Sequence, residues 1–251
     1  QYLAASQRAS EWTFMNYGHR PLQDTSPLAL APEDEPDRSC IQLYHLVASA
    51  VDLSGREVLE VGSGRGGGAS FVKRYLRPSR VVGIDVSSRA VAFCRACHAV
   101  PGLSFAVGDA EQLGFAANSF DAILNVESSH CYGDLEAFVR EVRRVLRPHG
   151  HFLYADFRSA EEVDAWRAGL QAAGLRLLAE RDITPGVVAA LDADDERKRG
   201  LIEASVERPL RGAFCQFAAL RGTRLYDQFR SGTVVYRAFV FQNGAAADTG
   251  A

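Results

Sequence analysis

Val58-Leu59-Glu60-Val61-Gly62-Ser63-Gly64-Arg65-Gly66-Gly67-Gly68 is a short apolar run that empties into glycines. The run suits a buried strand. The glycines let the chain turn tightly and let the backbone approach a ligand with no Cβ in the way. Gly67 to Leu76 then predicts a helix, stopped by Pro78. Ligands of open α/β sheets bind beyond the carboxyl ends of the strands, so this turn marks a site as well as a fold. Gly62, Gly64 and Gly67 satisfy G-x-G-x-x-G, a spacing that does not by itself choose the nucleotide.

Outward from the turn, strands and helices alternate. Arg56 to Val61, Arg80 to Ile84, Leu103 to Val107, Phe120 to Asn125, His151 to Asp156, Leu175 to Asp182 and Thr233 to Phe241 read as strands. Ala90 to Val100, after an N-cap at Ser87, reads as a helix, as do Leu135 to Leu146 and Glu161 to Ala173. Arg147-Pro148-His149-Gly150 reads as the close of the second of these. Such alternation predicts a mostly parallel, Rossmann-like α/β sheet with right-handed crossovers. Residues 1–55 precede the first strand and read as an N-terminal helical cap. Residues 56–185 and 233–243 form the core, and 186–232 a helical lid, since an insertion at a sheet edge is where a substrate wall sits.

The chain has 251 residues, a formal net charge of -3 and 47% hydrophobic residues. That suits one compact unit with an added lid and lacks the basic excess expected of a nucleic-acid or anionic-membrane partner. Arg197-Lys198-Arg199 directly follows Asp194-Asp195-Glu196 and reads as a solvated helix face. Five cysteines read as reduced thiols of a cytoplasmic protein. Cys94 and Cys97 form a C-x-x-C inside a helix, with no second pair to make a zinc site. No stretch approaches the ~20 apolar residues of a bilayer span, and no signal peptide is visible. The chain starts at Gln1, which suggests trimming, and its tail from Gly244 to Ala251 is expected to fray.

Val81-Val82-Gly83-Ile84-Asp85 ends the second strand with a carboxylate placed to accept from both ribose hydroxyls of an adenosine. Gly108-Asp109-Ala110 follows the third strand. There Asp109 is placed to accept from an adenine amino group, and Ala110 to offer a backbone N–H. In order and spacing, E-x-G-x-G-x-G, G-I-D, G-D-A, F-D and L-R-P-x-G resemble the class I S-adenosylmethionine (SAM)-dependent methyltransferases over residues 56–157. That family's sheet ends with an antiparallel seventh strand after an insertion, and Thr233 to Phe241 after the 186–232 excursion resembles that layout. The resemblance implies SAM as cofactor and S-adenosylhomocysteine as product, with no metal required. It puts Glu60, Gly62, Ser63 and Gly64 at the methionine part, Asp85 at the ribose and Val86 beside the adenine. Asp109 and Ala110 then read the adenine edge, and Asn125 lies near the sulfonium. Tyr17 either closes over the cofactor or simply packs.

Glu127-Ser128-Ser129-His130 follows the fourth strand. Methyl transfer is an in-line displacement that needs acceptor and sulfonium aligned. An aliphatic hydroxyl needs a base, and histidine has the fitting pKa, so His130 is the candidate. Asp156, at the end of the fifth strand, is placed to orient that imidazole. The pair is similar to that of bacterial sugar and natural-product O-methyltransferases. With Asn16-Tyr17-Gly18 and the block from Leu146 to Phe157, the chain also resembles mycobacterial phthiotriolone and glycopeptidolipid methyltransferases. Phe214, Phe217, Leu220, Tyr226 and Phe229 either wall an apolar acceptor pocket or pack the lid onto the sheet. Asp192, Asp194 and Asp195 read as a charged lid surface rather than a magnesium site. The expected function is O-methylation of a small metabolite, glycoside or lipid, with a homo-oligomer left open. C- or N-methylation, an NAD-dependent oxidoreductase and a non-methylating SAM-binding protein remain as rivals.

Overall fold

The computed structural model describes residues 12–23 and 27–244. Residues 1–11 of the expected cap, and the tail expected to fray beyond Gly244, lie outside them. β1 (Glu57–Val61), β2 (Arg80–Asp85), β3 (Leu103–Val107), β4 (Phe120–Val126), β5 (Leu146–Ser159), β6 (Leu175–Asp182) and β7 (Val234–Asn243) make one sheet in the order β3-β2-β1-β4-β5-β7-β6. β1 to β5 pair in parallel, and β7 runs antiparallel between β5 and β6. The order reverses between β1 and β4. The crevice beyond their carboxyl ends is where such sheets hold ligands.

Alternate side chains of each strand enter two cores. Val58, Leu124 and Leu153 face one of them, with α1 (Arg38–Ala48), α2 (Gly67–Tyr75), α3 (Ser88–Cys97), α6 (Thr184–Ser205) and α8 (Arg224–Ser231). Leu59, Ile123 and Phe152 face the other, with α4 (Leu135–Val145) and α5 (Val163–Ala172). α4 starts at Asp134, whose side chain accepts from Ala137 N at 2.8 Å. It buries Phe138, Val139, Val142 and Val145, each contributing about 1.5–3 kcal/mol. Ser87 caps α3 as expected, accepting from Ala90 N at 3.3 Å.

Two sequence expectations change. β5 begins at Leu146, not His151, because the turn residues pair with β4. The register shifts between Phe120, opposite Leu146, and Ala122, opposite His151. Arg147 there binds Asp121 at 2.8 Å and also reaches Glu57. The 186–232 excursion is helical, comprising most of α6, then α7 (Arg211–Phe217) and α8. The charge run on α6 is not a solvated face, however: Asp195 and Lys198 are 7% and 5% exposed. Their spacing from buried Leu191 and Ile202 puts all four on the helix stripe that packs inward.

Candidate active site

A cavity of about 640 Å³ opens beyond the carboxyl ends of β1, β2 and β4. Its floor is the glycine turn. Gly62, Gly64 and Gly66 hold φ of 74°, 54° and 79°, the left-handed region that favours glycine. A Cβ on Gly62 would lie 1.8 Å from Ser128 Oγ, so only glycine lets the β1 turn meet the β4 loop. Around Gly64 the same construction meets nothing within 4 Å. The N-terminal segment Thr13 to Tyr17 forms a further wall.

The expected cofactor residues divide into wall and support. Gly62, Ser63, Gly64, Asp85, Val86, Asp109, Ala110 and Tyr17 line the cavity. Asp85 Oδ2 accepts from Gly64 N and Oδ1 from Ser87 N, both at 2.9 Å, which fixes the carboxylate and leaves each oxygen a lone pair for a ribose hydroxyl. Val86 is 77% exposed beside it, an apolar surface for a ring to cover. Among the described residues, Ser63 Oγ is buried without a partner. This arrangement fits an adenosine with a polar tail. Glu60 and Asn125 are not among the lining residues; both lie beneath them. Glu60 accepts from Tyr44 Oη at 2.6 Å, and burial pushes its carboxyl up to about 8. Asn125 Nδ2 bolts the end of β4 to Val61 O and to Tyr132 Oη, each at 2.9 Å.

The catalytic candidates meet. β4 and β5 are neighbours, and their pairing stops with Val126 opposite Ala155. β5 runs on to Ser159, so Asp156 does not end the strand but lies within it, one residue past that pairing and beside the loop that carries His130. His130 Nδ1 lies 2.9 Å from Asp156 Oδ1. Asp156 is fully buried; its Oδ2 accepts from Ser129 Oγ at 2.5 Å and from His130 N at 3.0 Å. Burial alone would lift this carboxyl, but those bonds and the charges of His130 and Arg158 hold it below the usual range. Burial alone would lower the His130 imidazole; the Asp156 bond and charge outweigh it and raise it. His130 lines the cavity, and its ring packs on Phe157 with centroids 4.5 Å apart. With Nδ1–H given to Asp156, Nε2 is the nitrogen left to accept a proton.

Of the five lid apolar residues, only Phe217 lines the cavity, 49% exposed. Tyr226 and Phe229 belong to the main core, and Leu220 and Phe214 to a small one built mostly from residues 202–220. Asp192, Asp194 and Asp195 are tied to Arg221, Arg197 and Arg199. Cys94 is buried with Sγ 3.3 Å from Gly64 O, and all five cysteines are free. Glu127 was read in sequence only as part of a run, yet it lines the cavity beside His130. Nothing about a lone carboxylate after a strand signals that it lines a cavity.

A family model described as a methyltransferase domain matches residues 59–154. The phthiotriol/phenolphthiotriol dimycocerosates methyltransferase of Mycobacterium tuberculosis is 42% identical over 92% of this chain and 85% of its own length. The fatty-acid O-methyltransferase of Mycolicibacterium smegmatis is 37% identical over 96% and 87%. Among solved structures, the [4+2]-cyclase SpnF superposes with a TM-score of 0.69 at 20% identity, over 98% of this chain and 93% of that one. At that identity the likeness speaks for the fold alone.

Proposed function

The chain belongs to the SAM-dependent methyltransferases, and on that premise we propose that it methylates a hydroxyl of a small lipid or similarly apolar metabolite. The NAD-dependent and non-methylating rivals give way to that membership. The carrying observation is the His130–Asp156 pair at 2.9 Å on the wall of the cofactor cavity. When bound, SAM supplies an electrophilic methyl group on a positively charged sulfur. Asp156 holds the imidazole in the tautomer that leaves Nε2 free. Nε2 would take the acceptor's hydroxyl proton as the oxygen bonds to the methyl carbon and the carbon–sulfur bond breaks, with S-adenosylhomocysteine as leaving group, and Asp156 would stabilise the resulting imidazolium. Phe14, Met15, Val126 and Phe217 give the same cavity an apolar side. The relatives named for phthiotriol and fatty-acid substrates support a lipid acceptor.

The same proposal treats residues 1–55 as a cap and 186–232 as a lid over the core, because Tyr17 and Phe217 each reach the cavity. Five free thiols favour the cytoplasm. Among the described residues no helix is long and apolar enough to cross a membrane. The test is calorimetry with S-adenosylhomocysteine followed by an alcohol screen. Asp85→Ala should weaken product binding by about tenfold or more, the loss of charge-assisted bonds. His130→Ala should bind product like wild type while methyl transfer falls by about 10²–10⁴-fold. Full transfer by His130→Ala would remove the base from this mechanism.

A further inference from the structure

Glu127 is the one cavity residue with an acidic side chain on the β4 loop beside His130, and the transfer step above gives it no work. Its backbone holds φ of 52°, a left-handed conformation that costs a residue with a Cβ about 1 kcal/mol or more. The strain is held by Glu127 N, which donates to Ala155 O at 2.8 Å. Its side chain is anchored on one oxygen only. Oε2 accepts from Tyr17 N at 2.9 Å and from Tyr236 Oη at 3.1 Å. Among the described residues, Oε1 has no hydrogen-bond partner.

We infer that Glu127 is a specificity-determining residue that, through Oε1, hydrogen-bonds a second oxygen on the acceptor, close to the hydroxyl being methylated. The inference rests on the hydroxyl-acceptor reading. Burial pushes this carboxyl up to about 8, so near neutral pH it carries a proton. Both anchors donate to Oε2, which leaves the proton on Oε1. A protonated carboxyl in an apolar site acts as a hydrogen-bond donor. Its partner must accept, as an ether, carbonyl or hydroxyl oxygen does. A donor built into a site selects strongly against analogues that lack its partner, because the donor is then left unpaired. The chemical class is therefore a long-chain molecule with two neighbouring oxygens rather than a plain secondary alcohol.

The test compares a long-chain secondary alcohol with the 1,2- and 1,3-diols of the same length. For wild type, kcat/KM should favour at least one diol by about tenfold, the value of one hydrogen bond. Glu127→Met should erase that preference. Glu127→Gln should keep it, because its carbonyl oxygen replaces Oε2 and its amide N–H replaces Oε1–H. Binding of S-adenosylhomocysteine should be alike in all three proteins, which also shows that each is folded. Equal rates on alcohol and diols in wild type overturn the inference and leave O-methylation standing. A Gln variant as impaired as Met overturns it too, because the group would then act as an anion. Weakened product binding in both variants would reassign Glu127 to the cofactor. No transfer to any of the three alcohols overturns both this inference and the hydroxyl reading.

Discussion

A buried carboxylate that accepts from an imidazole does two things at once, and Asp156 separates them experimentally. Its charge raises the His130 pKa, and its geometry selects the tautomer. The base works when neutral, so kcat/KM should rise with pH through a limb above the usual histidine value of 6.5. Asp156→Asn removes the charge, so the limb should move to lower pH. An amide N–H can instead donate to Nδ1, which forces the proton onto Nε2 and blocks the base. The rate on the plateau should then fall by about 10²-fold or more. A pH–rate profile of the two proteins reads both effects. An unmoved limb would mean that the titrating group is not His130.

At the scale of elements, the site is a contact between two loops, the glycine turn after β1 and the loop after β4. Gly62 is where they touch. Gly62→Ala adds a Cβ 1.8 Å from Ser128 Oγ and 2.9 Å from Tyr132 Oη, and it also places alanine at φ of 74°. The overlap and the left-handed backbone are separate penalties, the second about 1–2 kcal/mol. Urea unfolding should show Gly62→Ala destabilised beyond that figure. Adding Ser128→Gly should restore the steric part and leave the backbone part. Complete rescue would mean that φ costs nothing here, and no rescue that Ser128 is not the obstacle. The N-terminal segment is a third element at the same junction. The Tyr17 N–H is held by Glu127, its carbonyl accepts from Lys198 Nζ at 3.1 Å, and its ring packs on Phe157 and Phe229. Tyr17 thus ties the β4 loop to α6.

Across the whole molecule, the sheet was legible because runs such as β1, β2 and β4 are buried and separated by helical periodicity; the order of the strands was not read from the sequence. The His130–Asp156 meeting was legible because β4 and β5 are adjacent parallel strands, so the loop after β4 starts beside the part of β5 that holds Asp156. Burial was not. Glu60 was read as a cofactor contact and Lys198 as part of a solvated face, yet both are buried, and amphipathic spacing says that a face is covered without saying by what. Those buried groups also set the pH dependence of stability. An unfolded glutamate ionises near 4.5, whereas folded Glu60 keeps its proton up to about 8. Between those values the unfolded chain binds fewer protons, so stability falls as pH rises. Glu127, raised by burial to about 8, and His130, raised by Asp156, act in the same direction. His19, His45, His98 and His151 are lowered by burial, so they lose stability only as pH falls below about 6.5. Between pH 7 and 8 the glutamates therefore dominate, each contributing up to about 1 kcal/mol of loss. Urea midpoints should drop across that interval in wild type and drop less in Glu60→Gln, which can still accept from Tyr44. An equal slope in both proteins would mean that Glu60 is already ionised in the folded state, with Tyr44 and the Ala69 N–H enough to hold the charge beneath the cofactor floor.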